Sequence, residues 1–251
     1  MNHKMYLTMS RFNDKTLAEI VRDDHRTAQV FENHNLDFCC KGKRSLQEAC
    51  EERELSVSQV IAELETATKT CTFPVGYNKL SLTLLSDHIV NTHHEYVRNE
   101  LPRILAYLQR VASKHGDRHP EMIKVFQAFA VIKEEMEQHM MKEEKVLFPR
   151  IKALENKEND LPKSKSGRRY LQSPITVMVH EHDHAGSLMQ EIRKLTNSYT
   201  PPPEACTTYR LSFASLHAFE LDLHQHVHLE NNILFPKALQ LFDKLNEPEL
   251  N

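Results

Sequence analysis

His139-Met-Met-Lys-Glu143 and His226-Val-His-Leu-Glu230 each set an imidazole and a carboxylate four residues apart. Four residues of α-helix advance about 6 Å and turn about 400°, so each pair shares a face and can reach one metal ion or two adjacent ones. One such pair alone would read as an exposed ion pair. Here both continue into matching apolar segments, Val146-Leu147-Phe148-Pro149 and Ile233-Leu234-Phe235-Pro236. The second copies of His, Glu and Pro lie 87 positions beyond the first (226 − 139, 230 − 143, 236 − 149). His94 and His182, on the preceding segments, are 88 apart (182 − 94). The chain therefore repeats internally: a segment with His, then a segment with HxxxE, twice.

Placing imidazoles and carboxylates beside apolar residues carries a heavy desolvation penalty unless a cation offsets it. His94, His139, Glu143, His182, His226 and Glu230 offer four nitrogens and two carboxylates, an all-N/O set that favours iron or manganese over a thiolate zinc site. With Glu143 and Glu230 bridging two irons and an oxo or hydroxo bridge between them, each ion has about five positions filled and one open to a ligand. The Glu-x-x-His pattern of ferritin-like bundles is not matched. Of the adjacent His93 and His94 only one is expected to point inward, and the 88-residue offset selects His94. On a helix His180 and His184 rotate away from His182. His88, His224 and His228 are expected around the site or on the surface.

Such a set needs four helices to carry it. Helical patterns run over about 78–114, 119–154, 173–199 and 203–245, closed by His115-Gly116-Asp117, by a charged stretch, and by Tyr199-Thr200 before three prolines. They predict an all-α four-helix bundle, with Pro149 and Pro236 distorting their helices. Residues 155–172, polar and carrying Pro162 and Gly167, read as a mobile solvated loop. Ahead of the bundle, residues 1–75 form a small helical domain, with patterns from Thr16 to Phe31 and, after Ser45 as N-cap, from Leu46 to Leu64. Phe73-Pro74-Val75-Gly76 marks the boundary with a second domain, 76–251.

The balance of 32 basic against 35 acidic residues, net charge −3, indicates neither a nucleic-acid footprint nor an anionic-membrane patch. No stretch approaches the roughly 20 apolar residues of a membrane span. With five cysteines in no disulfide-like spacing, a cytoplasmic chain with reduced thiols is expected. A homodimer is compatible with the sequence.

Cys39 and Cys40 form a second constellation. Lys41, Lys43 and Arg44 follow the two thiols, just ahead of a helix start, which should favour thiolate and with it nucleophilicity or soft-metal binding. Cys50, Cys71 and Cys206 are isolated and read as structural.

Asp37-Phe-Cys-Cys-Lys-Gly-Lys-Arg-Ser-Leu46, followed by a bundle with His94, HMMKE, HEHDHAG and HVHLENNILFP, resembles the iron–sulfur cluster repair di-iron proteins, the repair of iron centres family. The resemblance covers nearly the whole chain. It implies a small N-terminal helical domain joined to a hemerythrin-like bundle with a non-haem di-iron centre. It makes His94, His139, His182 and His226 terminal ligands, Glu143 and Glu230 bridges, and Cys39 and Cys40 the paired thiols of redox or iron transfer. The implied function is restoring iron–sulfur clusters damaged by nitric oxide or oxidants through iron supply, with damaged iron–sulfur proteins as clients. A nitric oxide or dioxygen binding or sensing protein, and a nitric oxide reductase, are the alternatives. The family pattern is closer to Cys-Cys-Gly-Gly-Lys. Lys41 replaces the first Gly, which would carry strain if that position had positive φ.

Overall fold

Capping residues set the element boundaries in the first of two units, Met1–Lys79 and Leu80–Asn251, into which the chain divides. The structure, a computed structural model, describes residues 12, 14–39, 41–68, 76–156 and 165–246. Helix α1 (Leu17–Asp23) starts at Thr16, whose hydroxyl accepts from Glu19 N (3.3 Å) while the Glu19 carboxylate accepts from Thr16 N (2.9 Å). Ser45 and Glu48 repeat this reciprocal box at α3 (Leu46–Glu51). The two starts are tied together, Leu17 N donating to the Arg44 carbonyl (3.0 Å) and Leu46 N to that of Lys15 (3.2 Å).

Each of the two helical patterns in this unit is divided between two helices. Asp24 is extended and its carboxylate accepts from Arg26 N, so a 3₁₀ turn (His25–Thr27) separates α1 from α2 (Ala28–Asn33). Glu54 adopts φ 55° after α3, and the chain re-enters helix as α4 (Val57–Thr68). Local side-chain hydrogen bonds of this kind outcompete an apolar periodicity that runs straight through. Gly42 is required by close approach, since a Cβ there would lie 2.1 Å from the Phe38 carbonyl oxygen.

The second unit is built from four helical rods. The first comprises α5 (Leu82–Ile89), a π turn (Val90–His94) and α6 (Glu95–His115). The second comprises α7 (Glu121–Lys142), a π turn (Glu143–Leu147) and α8 (Phe148–Glu155). The third is α9 (Lys165–Leu195). The fourth comprises α10 (Thr207–Leu229), a π turn (Glu230–Leu234) and α11 (Phe235–Asn246). α6 packs against α7 and α10, α7 against α9, and α5 against α8. Distortion at Pro149 and Pro236 takes the form of the π turn ending two residues before each proline, which absorbs the missing N–H of the ring.

Helix α9 begins at Lys165, so the expected 155–172 loop is shorter than its polarity suggested. Arg150 accounts for this: its Nη1 donates to the Tyr170 carbonyl (2.8 Å) and its guanidinium lies 4.2 Å over the Tyr170 ring, while Leu171 is buried. Residues 157–164 of that loop lie outside the described residues.

Apolar stripes fill the bundle: Leu101, Ile104 and Leu108 on α6, Phe129 and Ile132 on α7, Met189 on α9, Phe219 on α10. Phe129 and Phe219 meet edge to face, centroids 5.4 Å apart.

Candidate metal centre

The four histidines continue these stripes. His94 precedes buried Val97 by three residues, His139 and His226 follow buried Met136 and Leu223 by three, and His182 lies between buried Met178 and Ala185. Helical periodicity therefore turns them inward, together with Glu143 and Glu230, and all six are buried. Two of the three π turns start at Glu143 and Glu230 and the other ends at His94, the local widening that often accompanies functional residues in helices.

The six residues converge as two groups of four: His94, Glu143, His226 and Glu230, and His139, Glu143, His182 and Glu230. Within each group the facing atoms lie within 4.8 Å of one another, and both carboxylates belong to both groups. Glu143 Oε2 stands 3.3 Å from Nε2 of both His94 and His139. Glu230 Oε1 is 3.0 Å from His226 Nε2, and its Oε2 is 3.0 Å from His182 Nε2. Both Glu143 oxygens and His94 Nε2 make no hydrogen bond to any described residue. Buried lone pairs aimed at common points are what a pair of cations would satisfy, so the residues present fit a two-metal centre.

Charge in the centre is strongly perturbed. Burial would lower His94, but the close carboxylates of Glu143 and Glu230 raise it to about 10. His139 behaves likewise, burial being outweighed by Glu143, with help from Glu181, to reach about 10. At His226 burial prevails over Glu230 and the pKa falls. Burial works to raise Glu143 and Glu230, yet the surrounding imidazoles hold both below the ordinary carboxylate range.

An outer ring, missed by spacing arguments, fixes three of the imidazoles. His94 Nδ1 donates to Glu144 (2.6 Å), His139 Nδ1 to Glu181 (2.9 Å), and His182 Nδ1 to the Asn231 side-chain oxygen (2.9 Å). Carboxylate and amide oxygens only accept, so each of these rings places its proton on Nδ1 and leaves Nε2 for the centre. Arg98 pairs with Glu144 and Lys142 with Glu181, and the His139 hydrogen bond leads the causes that bring Glu181 to about 2. The signal for these acceptors was available: each adjoins a candidate ligand in the chain, and Glu144 and Asn231 keep the 87-residue offset (231 − 144).

His180 and His184 are exposed, His184 bonding Glu135 (2.8 Å). His228 is buried and bonds Asn232. His93 departs from expectation: it is buried as well as His94, stacked on His226 and bonded through Nδ1 to Asp222 (2.8 Å). The π turn spanning both residues changes the angular spacing that would direct one of them outward.

In the small unit Cys39 is buried and its Sγ donates to Asp37 Oδ1 at 3.2 Å, an oxygen that also accepts from Cys39 N and Lys41 N. Arg44, one of the cations expected to favour thiolate, pairs with Glu52. Cys40 and Cys71 lie outside the described residues. Cys50 is buried, which pushes its thiol up, and Cys206 is exposed with Sγ 3.4 Å from His115 Nε2. Among the described residues no helix is long and apolar enough to cross a membrane.

Residues 85–238 match the hemerythrin HHE cation binding domain, and residues 13–68 a domain of unknown function, DUF542. Proteins named iron-sulfur cluster repair protein YtfE are similar along most of the chain. That of Musicola paradisiaca is 34% identical over 229 residues, 91% of this chain and 98% of its own. That of Shigella boydii serotype 4 is 35% identical over 230 residues, with the same coverage.

Proposed function

We propose, for a chain that belongs to the family of iron–sulfur cluster repair proteins built on a hemerythrin HHE domain, that it binds two irons in the bundle and supplies iron to damaged iron–sulfur clusters. The observation that carries the two-ion reading is the membership of Glu143 and Glu230 in both groups of four. In this reading His94 and His226 hold one iron, His139 and His182 the other, and the two carboxylates bridge them, with an oxo or hydroxo bridge completing the pair. Iron held this way supplies a redox-active centre with a position for a small ligand, and is also the cargo. Glu144, Glu181 and Asn231 orient their imidazoles for it, and the apolar stripes exclude bulk water from the bonds that hold it.

The clients are iron–sulfur proteins damaged by nitric oxide or oxidants, in the cytoplasm. The domain spanning residues 1–75, with Cys39 and Cys40, takes part in handing iron over, and the bundle of residues 76–251 stores it. A carrier or sensor of dioxygen or nitric oxide has no evident use for such a thiol module, which places that reading second.

Metal analysis of anaerobically purified protein, followed by its addition to a client enzyme whose cluster nitric oxide has damaged, tests the proposal. About two irons per chain and recovery of client activity are expected. Iron content with no recovery, accompanied by nitrous oxide formation under turnover, would select a reductase instead.

A further inference from the structure

The outer ring is incomplete at one place. His226 Nδ1 is buried and makes no hydrogen bond to any described residue, while the other three imidazoles of the centre each have an acceptor. The repeat shows what stands in the acceptor's stead. Glu181, which serves His139, directly precedes His182, and the residue directly preceding His94 is His93 (181 − 93 = 88). His93 therefore occupies in one half the place of Glu181 in the other. Its ring lies 5.5 Å from that of His226 with 8° between the planes. An imidazole N–H lies in its ring plane, so stacked rings cannot hydrogen-bond to each other. Asp222 holds His93 in that pose through Nδ1.

We propose that His93 makes the two metal positions unequal: the ion between His94 and His226 is held more weakly than the ion between His139 and His182, and it is the first to leave. An acceptor on the far nitrogen raises the donor strength of a metal-bound imidazole and fixes its orientation, and losing one typically costs 10–100-fold in metal affinity. The His139/His182 position has a carboxylate and an amide behind its two rings, and the His94/His226 position has a carboxylate behind His94 and no acceptor among the described residues behind His226. Departure involves no change of oxidation state. One ferrous ion passes from two imidazoles and its share of the carboxylates to the acceptor's ligands, and the second ion stays. His93 is thus a positioning residue that reserves one ion for transfer, an inference resting on the two-iron reading above.

The test loads the full chain anaerobically with ferrous iron and follows its removal by an excess of a chromogenic ferrous chelator. Two phases of equal amplitude, one iron each, are expected for the native chain. Glu181→Ala, which removes the acceptor, should accelerate the slow phase by roughly 10-fold and leave the fast phase unchanged, which a general loss of structure would not do. His93→Glu should slow the fast phase by a similar factor. A single phase carrying both ions in the native chain, or a Glu181→Ala effect confined to the fast phase, would overturn the inference while leaving iron supply intact. Saturation at one iron per chain would overturn the two-iron reading itself.

Discussion

Nε2 of His139 and Nε2 of His182 stand 3.0 Å apart in a fully enclosed site. Two imidazole nitrogens hold that distance only with a cation or a shared proton between them, since two lone pairs repel. Metal and protons therefore compete for the same atoms.

From this competition follows a pH dependence. His94 and His139 are raised from 6.5 to about 10, so near neutral pH each carries a proton that a metal ion must displace. Metal affinity should fall as pH is lowered, and loading at pH 7.5 should release about two protons per chain, read with an indicator dye in weak buffer. Loading without proton release would refute this. For the metal-free chain the sign reverses: the stability contributed by the two raised histidines is complete below pH 6.5 and lost as pH rises through about 10.

Bridging has its own signature. Glu143→Ala and Glu230→Ala should each deplete both ions, whereas His139→Ala, whose ring belongs to one group, should mainly deplete one. Iron per chain after gel filtration decides this, and full loading of the Glu143→Ala, Glu230→Ala double variant would exclude the site.

Arg193 of α9 makes a forked contact with buried Glu220 of α10, the helix that also carries His226, with Nε at 3.0 Å and Nη2 at 2.5 Å from Oε2. Arg193→Met strands that carboxylate and should cost about 3–5 kcal/mol in urea unfolding while iron content stays at the native level. A loss below about 1 kcal/mol would mean that the pair behaves as an exposed one.

Cys39→Ser with Cys40→Ser should leave iron loading unchanged and slow iron transfer to a damaged cluster under reducing conditions. Equal transfer rates at equal loading would remove the thiols from the pathway.

The centre was legible because two independent periodicities coincide on it: the helical step that places His94, His139, His182 and His226 on core stripes, and the 87–88-residue repeat that singles out the same residues. The breaks at Asp24 and Glu54 were not legible, since they depend on a cap and a left-handed residue that an apolar pattern does not register. The early start of α9 depends on Arg150, a partner distant in sequence that covers the polar-looking Tyr170 segment. His93 was misplaced because spacing arguments assume a uniform α-helical turn, and the chain has a π turn there.

Each group of four draws its ligands from three rods, and both include Glu230 of the fourth. During synthesis the chain emerges from its N-terminus, so His94, His139, Glu143 and His182 leave the ribosome before Glu230 exists. An unfinished chain can offer an ion only a partial and poorly enclosed set of donors. Metal acquisition is thereby deferred until the fourth rod has been made through Glu230 and docked, which protects a growing chain from capturing ions prematurely and makes a filled centre a report that the bundle is complete.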